Sequence, residues 1–290
     1  MTVYDNRPIG VFDSGLGGLT VLKEIMDLLP NERTIYFGDS GRTPYGSKSP
    51  ETIIKFSRQI VRFLLARQAK MIVIACNTAS SFAYDDVCTY AGVPVVEVIG
   101  PGARAAVLQS KGGRIGVIGT HGTVNSSVYV RAIRTAAAEK PVSGRRQLPF
   151  IVQQACPLFV GLAEEGWWDE EITRRIASIY LQPVLDQHID TLVLGCTHYP
   201  LLSRSIAAVA GPTVALVSAG RNVAEQVGQV LLENHLLHDG FSPATHQYYT
   251  SDSVEQFRRL GSTFLARPID QASRIGIEQF QENSDPFEGD

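Results

Sequence analysis

Residues 71–78 read Met-Ile-Val-Ile-Ala-Cys-Asn-Thr, an apolar strand pattern that ends at a cysteine followed by polar side chains. Residues 191–198, Thr-Leu-Val-Leu-Gly-Cys-Thr-His, repeat this pattern 120 positions later. A second pair of similar segments, 9–15 and 115–120, is offset by 106 positions. Fixed self-similarity indicates duplicated architecture, although short apolar strands also resemble one another by chance. The repeats therefore predict two similar units with corresponding loops.

Further apolar runs predict more strands, and helix-length segments separate most of them. The predicted strands are 9–12, 34–37, 71–75, 93–98, 114–118, 150–152, 191–194 and 213–217, and two of the predicted helices span 16–29 and 50–68. Nearly continuous apolar strands that alternate with helices predict mainly parallel sheets covered by helices on both faces. The expected fold class is α/β, with two pseudosymmetric domains.

Composition limits the classes of partner. A chain of 290 residues, 44% of them hydrophobic, is long enough for two domains. Its net charge of −3 and the lack of a basic run give no reason to expect nucleic acid. No apolar run reaches the roughly 18 residues of a bilayer span, and no secretory leader is recognised. We expect a cytoplasmic protein that acts on a small molecule and does not bind membranes.

Four scattered cysteines are too few for a disulfide framework, so their thiols are available for chemistry. Open parallel sheets bind ligands beyond the carboxyl ends of their strands, which is where Cys76 and Cys196 follow the repeated strands. Two facing units would present these thiols from opposite sides of one cleft. Inverting a carbon centre needs two such proton-transfer groups, and a thiol pKa of about 8.5 suits both roles. The alternative, a small buried hydrophobic residue, is what we expect of Cys88 and Cys156.

Polar residues next to the thiols are candidate substrate ligands. Asn77, Thr78 and Thr197 can donate hydrogen bonds to a carboxylate, or they can act only as helix N-caps. Asp13 and Ser14 lie in a small-residue loop that lacks a dinucleotide or phosphate fingerprint. Asp13 can bind an ammonium group or orient Cys76, and its alternative role is again a helix cap.

Three other segments are less specific. The turn 44–46, Pro-Tyr-Gly, and the following Ser47 can bind an anion through backbone amides and a hydroxyl, or they form an ordinary surface turn. His198, two residues from Cys196, is a candidate acid or base. The other histidines form no ligand cluster, so no metal is expected. Glu164 has the pattern of a helix surface.

These motifs together resemble the glutamate racemases of the aspartate/glutamate racemase family, bacterial enzymes that make D-glutamate for peptidoglycan. The resemblance runs from about residue 8 to about 266, and the paired cysteine motifs are its most specific part. The matching segments are 10–18 (GVFDSGLGG), 44–46 (PYG), 75–79 (ACNTA), 156–160 (CPLFV) and 195–200 (GCTHYP).

The resemblance implies a site in the cleft between the two domains, no pyridoxal phosphate and no metal, with Cys76 and Cys196 as the acid and base. It implies that Asp13 and His198 assist the thiols. The residues it places around glutamate are Asp13, Ser14, Pro44, Tyr45, Gly46, Asn77, Thr78, Thr120, Glu164, Thr197 and His198. We also expect a homodimer.

The family's domain pattern predicts that the chain crosses between domains near residues 98 and 208. The first domain would comprise 1–98 and 208–266, the second 99–207, and 267–290 would be a tail with a flexible end.

Three other functions are consistent with the residues alone. A related two-cysteine enzyme could act on aspartate, hydantoins or maleate. A two-lobed amino-acid-binding protein would bind glutamate and exchange no Cα proton. A cysteine hydrolase would need a thiol paired with an oriented histidine, for which only His198 is available.

Overall fold

The computed structural model describes residues 4–139, 148–276 and 279. The strands are β1 (Ile9–Asp13), β2 (Thr34–Gly38), β3 (Met71–Ile74), β4 (Val95–Glu97), β5 (Arg114–Gly119), β6 (Phe150–Ala155), β7 (Thr191–Gly195), β8 (Ala215–Val217), β9 (His246–Thr250) and β10 (Ser273–Arg274). The helices are α1 (Leu19–Leu28), α2 (Pro50–Ala66), α3 (Asn77–Ala91), α4 (Ile99–Gln109), α5 (His121–Asn125), α6 (Val128–Glu139), α7 (Leu158–Glu164), α8 (Glu171–Leu185), α9 (Ser203–Ala210), α10 (Gly220–Glu233) and α11 (Val254–Leu265). No helix in the described part of the chain is long and apolar enough to cross a membrane.

The strands form two sheets in which every paired neighbour is parallel. The first has the order β10-β9-β2-β1-β3-β4, and the second has the order β6-β5-β7-β8. Without β9 and β10, the two orders are the same, so β1 corresponds to β5 and β3 to β7. These are the strands of the two sequence repeats, and the predicted α/β fold with two similar units is confirmed.

Both faces of each sheet are buried, because neighbouring side chains of a strand point to opposite sides. On β1, Val11 joins a central apolar cluster with α1 and α10, while Phe12 packs against α2 and α3. On β5, Val117 joins the same central cluster, while Ile118 packs against α7, α8 and α9. The predicted covering of both faces by helices is confirmed, and one apolar layer lies between the two sheets.

The main difference from the predicted elements is β9, which pairs with β2. A search for apolar runs misses it, because its sequence His-Gln-Tyr-Tyr-Thr is polar and most of its side chains are only partly buried. Helix α2 ends two residues before the predicted position, where Gln68 adopts a positive φ of 61°.

The predicted domain bounds remain a prediction, because the sheets alone do not delimit domains. Strand β8 pairs with β7 in the second sheet, although residues 208–266 were assigned to the first domain. Strand β10 lies in the predicted tail and pairs with β9. The predicted flexible end, residues 281–290, lies outside the described residues.

Candidate active site

Both repeated thiols lie at the carboxyl end of a central strand. Cys76 is the second residue after β3, and Cys196 follows β7 directly. Their side chains are 4% and 7% exposed, and both thiols are free. Because β3 and β7 hold equivalent places in the two sheets, the thiols are related by the internal repeat.

Cys76 lies among hydrogen-bonding groups and beside a carboxylate. Its Sγ accepts from the Ala79 N–H at 3.4 Å and donates to Ser14 Oγ at 3.5 Å. Asp13 is 1% exposed, and its Oδ2 accepts from the Gly15 N–H at 3.0 Å. Burial raises the pKa of Cys76 to about 12, the charge of Asp13 adds to this, and the Ser14 hydrogen bond opposes it. At neutral pH Cys76 is therefore a thiol.

Cys196 lies beside a histidine instead. Its Sγ is 3.8 Å from His198 Nδ1, and His198 Nε2 is 3.1 Å from Glu164 Oε1. Burial lowers the pKa of His198, but hydrogen bonds to Cys196 and Glu164 and the charges of Cys196 and Asp13 raise it overall, to about 10. Burial raises the pKa of Asp13, which the charge of His198 opposes. An imidazolium therefore lies beside Cys196.

Glu164 lies between His198 and solvent. Its side chain is 33% exposed, whereas that of His198 is 7% exposed. A cavity of about 80 Å³ lies between the loops after β1 and β2 and the start of α11. Its lining residues are Gly15, Leu16, Ser40, Thr43, Glu164, Asp252, Ser253, Gln256 and Phe257.

Residues that follow strands of the two sheets meet directly. Thr78 Oγ1 is 2.9 Å from Thr120 Oγ1, and the Tyr129 hydroxyl donates to Asn77 Oδ1 at 2.7 Å. A Cβ on Gly46 would lie 2.8 Å from Thr120 Cβ, so this glycine permits close contact. Asn77 and Thr78 come from the first unit and Thr120 from the second, so the contacts join the two units.

The small-residue loop after β1 reaches the second thiol. A Cβ on Gly17 would lie 2.2 Å from Thr197 Oγ1 and 2.5 Å from His198 Nδ1. Thr20 Oγ1 donates to the carbonyl of Gly17 at 2.8 Å and to that of Thr197 at 3.1 Å. Glycine is therefore required for the loop to pack against residues 197 and 198.

The loop between β2 and α2 is held by a buried carboxylate. Asp39 Oδ2 accepts from Arg42 Nε at 2.7 Å and from the Tyr45 hydroxyl, and Oδ1 accepts from Ser251 Oγ at 2.7 Å. The Tyr45 side chain is 1% exposed and packs against Phe56. Of the predicted ligands, Tyr45 can therefore offer only its backbone to a substrate.

The turn around Pro44 contains a cis peptide bond between Thr43 and Pro44. Ser47 Oγ donates to the Pro44 carbonyl at 3.3 Å. The Ser47 hydroxyl therefore donates within the turn, whereas the sequence predicts that it donates to an anion.

Two residues of this site were not found from the sequence. Tyr129 and Thr20 lie in helices, and no motif distinguishes them from core or surface positions. The expectation for Cys88 was wrong, because this residue is exposed on α3, whereas Cys156 is buried.

Comparisons with known proteins show the same architecture. The model of the Asp/Glu/hydantoin racemase family matches residues 9–225. A glutamate racemase of Geobacter metallireducens is 46% identical over 276 residues, covering 95% of this chain and 99% of the relative. The structure of a glutamate racemase from Francisella tularensis in complex with D-glutamate has a TM-score of 0.85 and 38% identity, covering 94% and 98% of the two chains. A Bacillus anthracis glutamate racemase isoform has a TM-score of 0.87 at 34% identity, with 94% and 98% covered.

Proposed function

The chain belongs to the Asp/Glu/hydantoin racemase family, and we propose that it interconverts L-glutamate and D-glutamate without a cofactor. The observation that carries this proposal is the pair of buried thiols at equivalent strand ends of two similar units. The choice of glutamate rests on relatives such as the Geobacter metallireducens enzyme.

In the proposed reaction the two thiols act on opposite faces of one carbon. A thiolate removes the Cα proton, the C–H bond breaks, and its electron pair remains on the substrate. The other thiol then donates its proton to the opposite face, forming a new C–H bond and becoming the thiolate. Each turnover moves one proton onto one sulfur and one proton off the other, so the reverse reaction uses the same groups with exchanged roles.

The surroundings of the thiols support their proposed roles. The His198 imidazolium lies beside Cys196, where it stabilises negative charge, and Glu164 hydrogen-bonds its far nitrogen. Cys76 is protonated at neutral pH and lies near Ser14 and Asp13. In our proposal His198 assists Cys196 and Asp13 assists Cys76.

Polar groups of both units would hold the substrate. Asn77, Thr78, Thr120, Thr197 and Ser14 supply amide and hydroxyl groups near the thiols. The turn 44–46 would contribute backbone groups, because the Tyr45 side chain is engaged by Asp39.

We further propose that the product supplies D-glutamate for peptidoglycan, and that the enzyme works in the cytoplasm as a homodimer. These proposals rest on the family resemblance. Rescue of a bacterial strain that requires D-glutamate checks the physiological role, and failure of an expressed, folded protein to rescue growth would contradict it.

Deuterium incorporation tests reaction and substrate together. Each glutamate enantiomer, incubated with the protein in D₂O, should gain deuterium at Cα as its optical rotation decays. A protein that binds glutamate but exchanges no Cα proton would be a binding protein and would contradict the proposal. Aspartate, tested in parallel, should react much more slowly.

Substitution of either thiol tests the two-base mechanism. Cys76→Ala and Cys196→Ala should each abolish racemisation, because each removes one proton-transfer group. Cys→Ser at either position should leave slow Cα exchange that is biased toward one enantiomer. Cys156→Ala is the matched control, since this buried cysteine lies outside the thiol pair. Normal racemisation by Cys196→Ala would show that the mechanism is wrong.

A further inference from the structure

Tyr129, the second residue of α6, touches the chain next to both thiols. Its side chain is fully buried. Its hydroxyl donates to Oδ1 of Asn77, the residue after Cys76, at 2.7 Å. Its ring lies against Gly195, the residue before Cys196, where an added Cβ would be 3.0 Å from Tyr129 Cε2. One side chain therefore contacts the start of α3 and the end of β7, each next to a thiol.

The Tyr129 ring has no room to turn away from this position. A Cβ on Gly102 of α4 would lie 3.3 Å from the Tyr129 hydroxyl oxygen, so helix and ring are in close contact. The ring belongs to the central apolar cluster shared by the two sheets. Close packing of this kind fixes a side chain in one conformation.

The phenol acts as a hydrogen-bond donor over the whole physiological pH range. Burial and the charges of Glu97 and Cys196 raise the pKa of Tyr129 far above its usual value. Because the phenol donates to Oδ1 of Asn77, the amide turns its NH₂ group to the other side, where two N–H donors remain. Asn77 is 5% exposed, so this amide faces a nearly closed space.

We propose that Tyr129 is a positioning residue that holds the Asn77 amide with its N–H donors toward an anionic group of the substrate. The role rests on the proposed racemase function, which supplies a substrate with carboxylates. Without the phenol, the Asn77 amide can rotate and present its oxygen, which repels a carboxylate. The ring against Gly195 separately keeps the loop of Cys196 in place.

The substitution Tyr129→Phe tests the hydroxyl while keeping the ring. We expect KM for both glutamate enantiomers to rise about tenfold, with kcat changed by less than about threefold, because a binding contact is disordered and the thiols stay in place. Since the two enantiomers have equal energies, kcat/KM must fall by the same factor in both directions. Tyr180→Phe is the matched control. Among the described hydrogen bonds, the Tyr180 hydroxyl accepts only from the Leu158 N–H, at 3.4 Å. This substitution should leave KM and kcat unchanged.

A double-mutant cycle separates positioning from a general loss of packing. In an Asn77→Ala background, Tyr129→Phe should have no further effect on KM, because the amide it orients is gone. An unchanged KM in Tyr129→Phe, or the same rise in KM in both backgrounds, would overturn the proposal. If the unsubstituted protein does not racemise glutamate, the proposed function itself fails and this role fails with it.

Discussion

The two thiols have unlike neighbours. Cys76 lies near the carboxylate of Asp13, and burial raises its pKa to about 12. Cys196 lies 3.8 Å from a histidine whose pKa is raised to about 10. Cys76 is therefore held as a thiol, whereas Cys196 lies beside an imidazolium.

The charge on His198 predicts how stability depends on pH. Between about pH 6.5 and about pH 10 the folded protein holds a proton on His198 that the unfolded chain has released. The free energy of unfolding should therefore fall as pH rises through this window. Cys76 acts in the same direction, but only above its ordinary pKa of 9.0. Urea unfolding between about pH 7 and about pH 8.5 thus isolates the histidine.

The matched variant for this measurement is His198→Gln, which can still donate to Glu164 and carries no titrating group. Its free energy of unfolding should show a weaker decline than the parent protein over the same pH range. Equal slopes in the two proteins would mean that His198 is neutral in the folded state.

At the residue scale, the sequence identified the thiols because each follows a repeated strand, and strand ends are recognisable from apolar patterns. It could not identify the role of Tyr129, because that role depends on how α6 packs between Asn77 and Gly195. The glycine at position 17 was visible as part of a small-residue loop. Position 17 requires glycine because it contacts Thr197, which lies 180 residues later in the chain. This contact follows only from the packing of the two units.

At the element scale, α3 begins at the thiol of Cys76. Cys76 is its N-cap, and the sulfur accepts the hydrogen bond from the Ala79 N–H that a serine or threonine oxygen would usually accept. The helix thus begins directly at Asn77, and Cys76 is the N-cap, a role that the sequence had offered to Asn77 and Thr78. The side chain that we propose as an acid or base therefore also caps a helix.

This hydrogen bond predicts that two variants of Cys76 differ in stability. Cys76→Ser keeps an acceptor for the Ala79 N–H, whereas Cys76→Ala leaves that donor without one. We expect Cys76→Ala to be less stable by about 1 kcal/mol in urea unfolding. At Cys156, whose thiol caps no described helix, serine should have no such advantage over alanine. Equal stability of the two Cys76 variants would show that the sulfur contributes nothing as a cap.

Eight of the strands were predictable because each contains an apolar run, even where the strand lies at a sheet edge, as β4, β6 and β8 do. β9 was not, because its His246 and Gln247 are polar, and it is held by hydrogen bonds to β2 more than by burial. The same limit applies to the loop after β2. The side chain of Asp39 in this loop accepts a hydrogen bond from Ser251, which follows β9 and is distant in sequence.

At the scale of the whole molecule, the two sheets share one apolar layer. The central cluster contains Val11 and Val73 of the first sheet and Val117 and Val193 of the second, all fully buried. Separating the two sheets would expose this layer. At roughly 25 cal/mol per Å², the free energy of separating the units rises with the apolar area that this layer buries.

The shared layer predicts that the two units unfold together. Both tryptophans, Trp167 and Trp168, lie between α7 and α8 of the second unit, so their fluorescence reports on that unit, whereas circular dichroism reports on all helices. The two urea transitions should coincide. Val73→Ala removes buried volume from the first sheet, and at a cost of roughly 2 kcal/mol it should lower both midpoints equally. A shift in circular dichroism alone, with tryptophan fluorescence unchanged, would mean that the units are independent and that the layer between them contributes little to stability.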